Sequence, residues 1–374
     1  MKIMHIITSL ETGGAETTMC RLVQAMSGHT HVVVSLTSIG APGESLIEAG
    51  HEVHALRIRM SNLIGALIRL WRLMRHHRPD VIQTWMYHSD LLGGLMGRLA
   101  GCRHVFWNIR NTEIPHSIWS RTGWIVRASA ALSRIIPRAI VCCAHAAKLK
   151  HVALGYPDDR MVVIQNGYDV NSWRLPTQTR SEVRSSLGFP ATAFIVGMVG
   201  RMDPLKGHDI FIEAAGAMAA RFHGELLFVM VGRGVEESNT SLQKIIKEKG
   251  GQAQFRQLGE RRDISQLMYA LDLYCLSSYS EGFPNVVAEA MLMQTPCVVT
   301  DVGDAGRIVG DIGRVVPPNE PVALADALLS LASMEEKNRQ ALGLAARERI
   351  SAQFDIQFIA QQYVNLYTKQ IHHA

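Results

Sequence analysis

Two glutamates, Glu281 and Glu289, flank the start of a predicted helix in the segment SEGFPNVVAEA, residues 280–290. Gly282 marks a turn in this segment, and Pro284 marks the first helical position. Unpaired backbone N–H groups are expected on the residues that open the helix, which are Asn285, Val286 and Val287. A helix start of this kind is an anion site that suits a phosphate or a diphosphate.

The positions of the two carboxylates fit the shape of a sugar nucleotide. Glu281 lies in the loop before the helix, and Glu289 lies one turn inside it, where the helical pitch is about 5.4 Å. A sugar nucleotide carries a sugar and a ribose on either side of a diphosphate, so each carboxylate could hold a pair of hydroxyl groups. Either glutamate alone would more often be a helix-terminal charge or a solvated surface residue, but the neighbouring segments weaken that interpretation.

Two cations follow a predicted strand in the segment GMVGRMDPLKG, residues 197–207. Gly200 ends the strand, and Arg201 and Lys206 lie in the loop that opens the next helix. A departing diphosphate gains negative charge as its bond to the sugar breaks, and cations at this point would offset that charge. Three further segments lie at strand ends on the same predicted edge: VGRGVEES, LGERRDISQLMYALD and TDVGDAGRIVGDIGRVVPPNEP.

Parallel sheets are needed to bring these segments together. Short apolar runs alternate with helical patterns along the whole chain, which predicts an α/β fold with helices on both faces of parallel sheets. The predicted strands are residues 2–8, 31–37, 51–58, 81–85, 104–109 and 139–144 in the first half, and 194–200, 226–232, 255–259, 273–278 and 297–301 in the second.

The chain length and the position of a polar segment predict two domains. The segment NSWRLPTQTR, residues 171–180, has neither helical nor strand periodicity and is the predicted hinge. We therefore expect two doubly wound, Rossmann-like domains, residues 1–170 and 171–354, that face a cleft where a ligand would bind. A last helix, residues 355–374, has no strand after it and could pack back on the first domain.

The basic charge of the chain is concentrated in its first half. The formal net charge is +5, but residues 1–170 hold 18 Lys and Arg against 11 Asp and Glu, together with 12 of the 16 histidines. Residues 171–374 hold 20 Lys and Arg against 22 acidic residues, so the basic surplus lies entirely in the first half. No nucleic-acid recognition motif accompanies this charge.

Two segments of the first half, residues 61–80 and 116–138, combine arginine with tryptophan in a helical pattern that suits an anionic membrane surface. In the first segment the pattern groups five apolar residues on one side of the helix: Leu63, Leu67, Leu70, Trp71 and Met74. The alternative is that both helices simply cover the sheet and that their arginines are solvated.

The remaining composition predicts a cytoplasmic protein. No apolar run approaches the about 18 to 20 residues that a membrane-spanning helix requires, and the N-terminus shows no signal-peptide pattern. The six cysteines form no CxxC pair, so we expect buried, reduced thiols rather than disulfides or zinc ligands.

Five motifs of the second half, GRMDPLKG, VGRG, GERRDI, SEGFPNVVAEA and TDVGD, resemble the retaining glycosyltransferases of the GT-B superfamily, the family 4-like, group 1 enzymes. The resemblance covers nearly all of the second half. It implies that Arg201 and Lys206 bind the diphosphate of the donor. It also implies that Glu281 lies near the donor sugar and that Glu289 binds the ribose.

The same resemblance implies further donor contacts. The segment around Arg261 and Ile264 matches the region that holds the nucleobase. The loop whose backbone faces the sugar and phosphate matches Gly282, Phe283 and Asn285. Because cations do the work at the diphosphate, no metal and no cofactor are expected, and Asp301 and Asp304 are interpreted as turn residues.

The first half resembles the family less sharply. The segment TSLETGGAE, residues 8–16, matches the glycine loop after the first strand, with Gly13 and Gly14 able to approach a phosphate or the acceptor. Many members carry a histidine after the fifth strand, where this chain has Arg110. Whether Arg110, His88 or His116 takes that place stays open, and each histidine is more often structural.

The function that we expect is a metal-independent, retaining transfer of a sugar from a nucleoside diphosphate donor, with UDP favoured over GDP, to a saccharide acceptor. The acceptor would be lipid-linked, with the enzyme peripheral on the inner face of the membrane, in cell-envelope polysaccharide or glycolipid synthesis. A sugar-nucleotide epimerase of GT-B shape and a non-catalytic saccharide-binding protein remain the alternatives. A dehydrogenase is disfavoured, because no acidic residue follows a GxGxxG motif at the required distance.

Overall fold

The structure is a computed structural model that describes residues 1–11, 13–112 and 120–372. It divides into two compact units: unit 1 is Met1–Asp169 with Phe354–Ala374, and unit 2 is Val170–Gln353. Each unit has one sheet in which all described strand pairs are parallel, so the predicted doubly wound α/β fold is confirmed. No helix in the described ranges is long and apolar enough to cross a membrane.

Unit 1 contains a sheet of seven described strands in the order β3-β2-β1-β4-β5-β6-β7. These strands are β1 (Lys2–Ile7), β2 (Thr30–Ser35), β3 (Glu52–Ala55), β4 (Val81–Trp85), β5 (Val105–Ile109), β6 (Ala139–Cys142) and β7 (Met161–Val163). Five of the six residues of β1 are buried, as expected for a parallel strand covered on both faces. The strand order reverses beside β1, which places the usual ligand-binding edge at the carboxyl ends of the central strands.

The helices of unit 1 follow the strands in alternation. They are α1 (Gly14–Ala25), α2 (Ala41–Glu48), α3 (Leu63–His77), α4 (Tyr87–Leu99), α5 (Arg121–Leu132) and α6 (His145–Ala153). Right-handed crossovers put α3, α4 and α5 on one face of the sheet, and α4 contacts both of its neighbours.

Helix α3 buries only part of the apolar side that the sequence pattern indicated. Its buried residues are Ala66, Leu70 and Met74. Trp71, which the sequence pattern grouped on one side with Leu70 and Met74, is 39% exposed, and Ile64 and Ile68 are 77% and 45% exposed. The helical pattern alone could not separate the buried apolar residues from the exposed ones, because the apolar residues of this helix cover more than the stripe that packs on the sheet.

Unit 2 contains a sheet of six described strands in the order β10-β9-β8-β11-β12-β13. These strands are β8 (Phe194–Val199), β9 (Leu226–Val231), β10 (Gln254–Gln257), β11 (Leu273–Leu276), β12 (Cys297–Thr300) and β13 (Arg314–Val316). The sequence analysis missed β7 and β13, the outer strands at one edge of each sheet. Both have three residues, too few to show a strand pattern.

The helices of unit 2 also alternate with its strands, and the predicted hinge, residues 171–180, lies before the first of them. They are α7 (Arg180–Ser186), α8 (His208–Ala219), α9 (Thr240–Lys249), α10 (Ile264–Ala270), α11 (Asn285–Leu292), α12 (Ala305–Val309), α13 (Pro321–Ala332) and α14 (Glu336–Gln353).

The last helix, α15 (Ile356–His372), returns to unit 1 and packs against α1. Its buried tyrosines reach the polar side chains of the central strands: Tyr367 donates a hydrogen bond to Gln83 at 2.8 Å, and Asn108 donates one to Tyr363 at 2.9 Å. The Gln83 side-chain oxygen and the Asn108 side-chain nitrogen therefore each find a partner on the C-terminal helix, while the Gln83 nitrogen donates to the Thr84 and Phe106 carbonyls.

A chain of buried hydrogen bonds fixes two histidines of unit 1 in the neutral state. The Trp85 indole N–H donates to His5 Nδ1 at 3.2 Å, His5 Nε2 donates to His31 Nδ1 at 3.1 Å, and His31 Nε2 donates to the Met26 carbonyl at 3.0 Å. The indole can only donate, so both tautomers follow from it. Burial lowers the pKa of both imidazoles, that of His5 strongly.

We predict that unit 1 loses stability as the pH falls below about 6.5, the pKa of an unperturbed histidine. The native His5 stays neutral there whereas the unfolded chain binds a proton, which costs about 1.4 kcal/mol per pH unit for each proton. Urea unfolding of the whole protein between pH 7.5 and 5.5 measures this slope. His5→Phe should flatten it, whereas replacing the exposed His223 by glutamine should not; equal slopes in both variants would contradict the prediction.

A second prediction concerns Gly207, which precedes α8 and has a φ of +64°. A Cβ atom here would overlap the carbonyl of Ser277, at the end of β11, whereas Gly188 has a similar φ of +68° and open space around it. Gly207→Ala should therefore lower the free energy of unfolding by about 1 to 3 kcal/mol more than Gly188→Ala. Urea unfolding of the two variants gives the comparison, and equal losses would show that the contact is easily relieved.

Candidate functional site in the second unit

Backbone contacts lock three loops together at the carboxyl edge of the unit 2 sheet. Gly200 donates to Val231, Met202 donates to Arg233, and Gly232 donates to Gly259, each at 2.8 Å. Gly232 has a φ of +148°, and a Cβ atom there would overlap the carbonyl of Gly200. The loops after β8, β9 and β10 thus form one rigid surface, since only glycine allows so close an approach.

Lys206 and Glu281, two of the predicted site residues, are in direct contact. Lys206 ends the 3-10 turn Pro204–Lys206, and its Nζ donates to Glu281 Oε1 at 2.7 Å. The Ser278 hydroxyl donates to the same oxygen, also at 2.7 Å. The Glu281 side chain is only 10% exposed, and its charge is balanced by a cation and a second donor, as a poorly hydrated carboxylate requires.

The loop that carries Glu281 is held from behind by the segment after β12. Gly303 has a φ of +59°, and a Cβ atom there would overlap the carbonyls of Glu281 and Gly282. Asp304 donates its backbone N–H to the Gly282 carbonyl at 2.9 Å. The Thr300 hydroxyl donates to the Ser278 carbonyl at 2.7 Å. Through these contacts the TDVGD segment supports the backbone of the loop that carries Glu281.

Helix α11 begins at Asn285, with Pro284 as the residue before it, so it starts one residue later than predicted. Pro284 makes no side-chain hydrogen bond to this helix start, and Phe283 is buried. The Val287 N–H, which we expected to be unpaired, donates to the Pro284 carbonyl at 3.1 Å, because the first turn of the helix closes on it. Glu289 lies half-buried one turn inside the helix. One carboxylate therefore lies before the helix start and the second lies one turn inside the helix, as predicted.

Arg201 and Arg261 each bind an aspartate two residues further along the chain. Arg201 donates to Asp203 Oδ2 at 2.8 and 3.1 Å, and Arg261 donates to Asp263 at 2.6 and 2.8 Å. Burial acts against ionisation of Asp203, but the Leu205 N–H and the Arg201 guanidinium outweigh it and lower its pKa. The structure thus brings Lys206, but not Arg201, to Glu281; the sequence analysis missed Asp203, Asp263 and Ser278.

The predicted residues of unit 1 meet at the carboxyl edge of its own sheet. Gly13 precedes α1, and a Cβ atom there would overlap the carboxylate of Glu16. Burial raises the pKa of Glu16, while the positive charge of Arg110 acts in the opposite direction. Arg110, directly after β5, is therefore an electrostatic neighbour of the loop formed by Gly13 and Gly14.

One nitrogen of the Arg110 guanidinium has a hydrogen-bond partner, and another has none among the described residues. The guanidinium stacks over the Trp85 ring at 5.4 Å, and its Nη2 donates to Asn166. Its Nη1 is buried and makes no hydrogen bond within the part of the chain that the structure describes. His88 is half-buried in the first turn of α4, where burial lowers its pKa, and His116 lies outside the described residues.

Comparisons with known proteins agree on one class of enzyme. The family model for glycosyl transferases group 1 matches residues 179–349, and the model for glycosyltransferase family 4 matches residues 12–172. A D-inositol 3-phosphate glycosyltransferase of Corynebacterium urealyticum is 28% identical over 295 residues, which are 73% of this chain and 69% of the relative. The UDP-Gal:alpha-D-GlcNAc-diphosphoundecaprenol alpha-1,3-galactosyltransferase of Escherichia coli is 23% identical over 311 residues, which are 82% of this chain and 79% of that relative.

Solved structures show the same fold. The crystal structure of Anabaena HepE in complex with UDP and glucose superposes with a TM-score of 0.84, at 23% identity over 99% of this chain and 100% of that one. The sucrose-phosphate synthase of Thermosynechococcus elongatus superposes with a TM-score of 0.78, at 19% identity over 100% of both chains. The predicted resemblance is confirmed: with two matched halves and two Rossmann-like sheets, this chain belongs to the GT-B glycosyltransferases.

Proposed function

We propose that this enzyme transfers a sugar from a UDP-sugar to a saccharide acceptor, with retention of configuration and without a metal ion. The observation that carries the proposal is the contact between Lys206 and Glu281 beside the start of α11. It combines a cation, a helix start and a carboxylate where a donor needs its diphosphate neutralised and its sugar hydroxyls held. UDP is favoured because the Escherichia coli relative is named for UDP-Gal and HepE was solved with UDP.

The proposed roles divide the donor along its length. Lys206 and the N–H groups at Asn285 and Val286 neutralise the leaving diphosphate, Glu281 orients the sugar and Glu289 binds the ribose. Both Lys206 and Arg201 pair with a carboxylate, but Lys206 is the main cation, because its side chain is 26% exposed, against 60% for Arg201, and is therefore less screened by water. The remaining proposed donor contacts are Gly200, Arg261, Ile264, Gly282 and Phe283, with Gly13 and Gly14 from unit 1.

A retaining transfer needs a base for the acceptor hydroxyl. We assign that role to the departing phosphate itself, as the resemblance implies. The cations must then stabilise the leaving group without removing all of its basicity. The partial neutralisation of Lys206 by Glu281 is consistent with that balance.

The proposed acceptor carries a phosphate. A pocket of about 440 Å³ lies at the carboxyl ends of β2 and β3, lined in part by Thr37, Ser38, Arg57 and Arg59. Arg57 has a φ of +51°, a strained conformation for a non-glycine residue that is often found at functional sites. The relatives named above carry inositol 3-phosphate and diphosphoundecaprenol in their names, which supports an acceptor with a phosphate group.

We also propose that unit 1 binds an anionic membrane surface, where a lipid-linked acceptor would be found. The exposed side of α3 presents Ile64, Ile68 and Trp71, and the neighbouring helices add exposed Leu99 and Trp124. The three helices α3, α4 and α5 contain one acidic residue, the buried Asp90. Solvated helix faces usually mix both signs of charge, so exposed apolar residues on helices that carry arginines and no exposed acidic residue favour an anionic lipid interface.

The donor assignment can be tested with a panel of sugar nucleotides. We expect slow release of UDP from one UDP-sugar without acceptor, and Lys206→Ala should reduce turnover roughly 30- to 900-fold, as expected for loss of leaving-group stabilisation. Binding of UDP alone, measured by calorimetry, should weaken with Glu289→Ala and change little with Glu281→Ala.

Lys249→Ala is the matched control, because Lys249 also pairs with a glutamate at 2.7 Å, on the surface of α9. Unchanged turnover in Lys206→Ala would remove this residue from the mechanism. The opposite binding pattern of the two glutamates would mean that the donor lies reversed in the site. Formation of an epimerised donor from the sugar nucleotide alone would replace transfer by epimerisation.

The membrane assignment can be tested by co-sedimentation with vesicles. Binding should appear with anionic lipid, decrease from low to high salt, and fall about tenfold or more when Ile68 and Trp71 are both replaced by serine. Val322→Ser, which removes an apolar side chain of unit 2 that is 61% exposed, is the control. Equal, negligible binding to neutral and anionic vesicles at low salt would leave a soluble acceptor as the better proposal.

A further inference from the structure

Three side chains that commonly bind metal ions meet at the amino-terminal edge of the unit 1 sheet. They are Glu52 and His54 of β3 and His77 at the end of α3, and one potential ligand atom from each lies within 4.8 Å of the other two. This is the only such group of three in the described part of the chain. It also belongs to the histidine-rich first half, whose 12 histidines the proposed transfer does not explain.

The interatomic distances are close to those of a tetrahedral metal site. Glu52 Oε1 lies 2.8 Å from His54 Nε2 and 3.3 Å from His77 Nε2. Zinc binds imidazole nitrogen and carboxylate oxygen at about 2.0 to 2.2 Å, so two ligand atoms of a tetrahedral site are about 3.3 to 3.6 Å apart. A small outward movement of the two side chains of β3 would therefore admit the ion.

The backbone fixes all three ligands in position. Glu52 and His54 are two residues apart on β3, an outer strand of the sheet, so their side chains project from the same face. Helix α3 ends at His77 because Arg78 adopts a left-handed conformation with a φ of +45°. Lys2 Nζ donates to the His77 carbonyl at 3.0 Å, which ties this helix end to β1.

We propose that Glu52, His54 and His77 form a zinc site with two imidazoles, one carboxylate and a water molecule in the fourth position. Zinc fits this set because it accepts mixed nitrogen and oxygen ligands in four-fold coordination. The Glu52 side chain is 50% exposed, which leaves solvent access for the water, whereas His77 is 10% exposed and forms the inner wall. The centroid of the His76 ring lies 4.9 Å from that of the His77 ring, so His76 is a neighbour of the proposed site and not one of its three ligands.

The ion would have a structural role. The cluster lies where β3 begins and α3 ends, whereas Gly13, Gly14 and Arg110 lie at the opposite, carboxyl edge of the same sheet. A metal here would connect an outer strand, which has a neighbour on one side only, to the helix that carries Ile64, Ile68 and Trp71. The inference does not depend on the proposed donor or acceptor, and it leaves the transfer itself metal-independent.

Cobalt(II) is a suitable probe, because it replaces zinc in tetrahedral sites and absorbs visible light when bound there. The full-length protein, treated with a chelator and dialysed, should bind one equivalent of Co²⁺ at pH 7.5 and release it to Zn²⁺. Glu52→Gln and His54→Gln should each weaken Co²⁺ binding by at least about tenfold, since loss of even an outer partner of a metal ligand costs 10- to 100-fold. Zn²⁺ should raise the Tm of the unaltered protein, and of any variant that keeps the three ligands, but not that of Glu52→Gln or His54→Gln.

His223→Gln is the matched control, because it removes an exposed histidine from unit 2. His372 and His373, which precede the last residue of the sequence, are present in every variant and give the same background. The competing arrangement is a network in which Glu52 only accepts hydrogen bonds from the two imidazoles. Co²⁺ binding that is not saturable, or that is equal in Glu52→Gln, His54→Gln and the control, would establish that network and overturn the zinc site.

Discussion

The ion pair between Lys206 and Glu281 is the contact on which the proposed donor site of unit 2 depends. A carboxylate that is 10% exposed loses most of its hydration, a cost of several kcal/mol unless other groups replace the water. Lys206 and the Ser278 hydroxyl replace it here, both on the same oxygen. A phosphate that binds beside this pair would meet a cation already in place, so little reorganisation is needed when its charge develops.

Glycine residues make that contact possible, because they let separate strand ends approach each other. Gly207 lies against the end of β11, and Gly303 lies against the loop of Glu281. Both have positive φ, so any side chain at these positions would add conformational strain to the steric overlap. The position of one charged pair therefore depends on residues that carry no functional group, and this explains why the motifs combine glycine with charge.

The sequence predicted the strands, which follow a repeated apolar pattern, and the position of the charged residues next to a helix start. It missed the side-chain pairs and the burial that are decided by the folded conformation. Buried runs of branched residues predicted the central strands, and the helix start predicted between Glu281 and Glu289 lies at Asn285 in the structure. The partner of Arg201 was missed, although the Arg-x-Asp spacing recurs at Arg261, because the conformation of a loop decides whether such a pair can close. The pattern grouped Trp71 with Leu70 and Met74 but could not show that Trp71 is exposed and the other two are buried, because burial depends on how much of the helix its neighbours cover.

The two units differ in how their cations are used. In unit 2 the cations nearest the proposed donor site are paired: Lys206 with Glu281, Arg201 with Asp203 and Arg261 with Asp263. On α3, Arg69 and Arg72 are exposed and form no ion pair within the described ranges. Paired charges cancel beyond a few ångströms, whereas unpaired ones act over a Debye length of about 8 Å in physiological salt. The proposed attraction to an anionic surface would therefore come from unit 1, even though the two halves of the sequence contain nearly equal numbers of Lys and Arg.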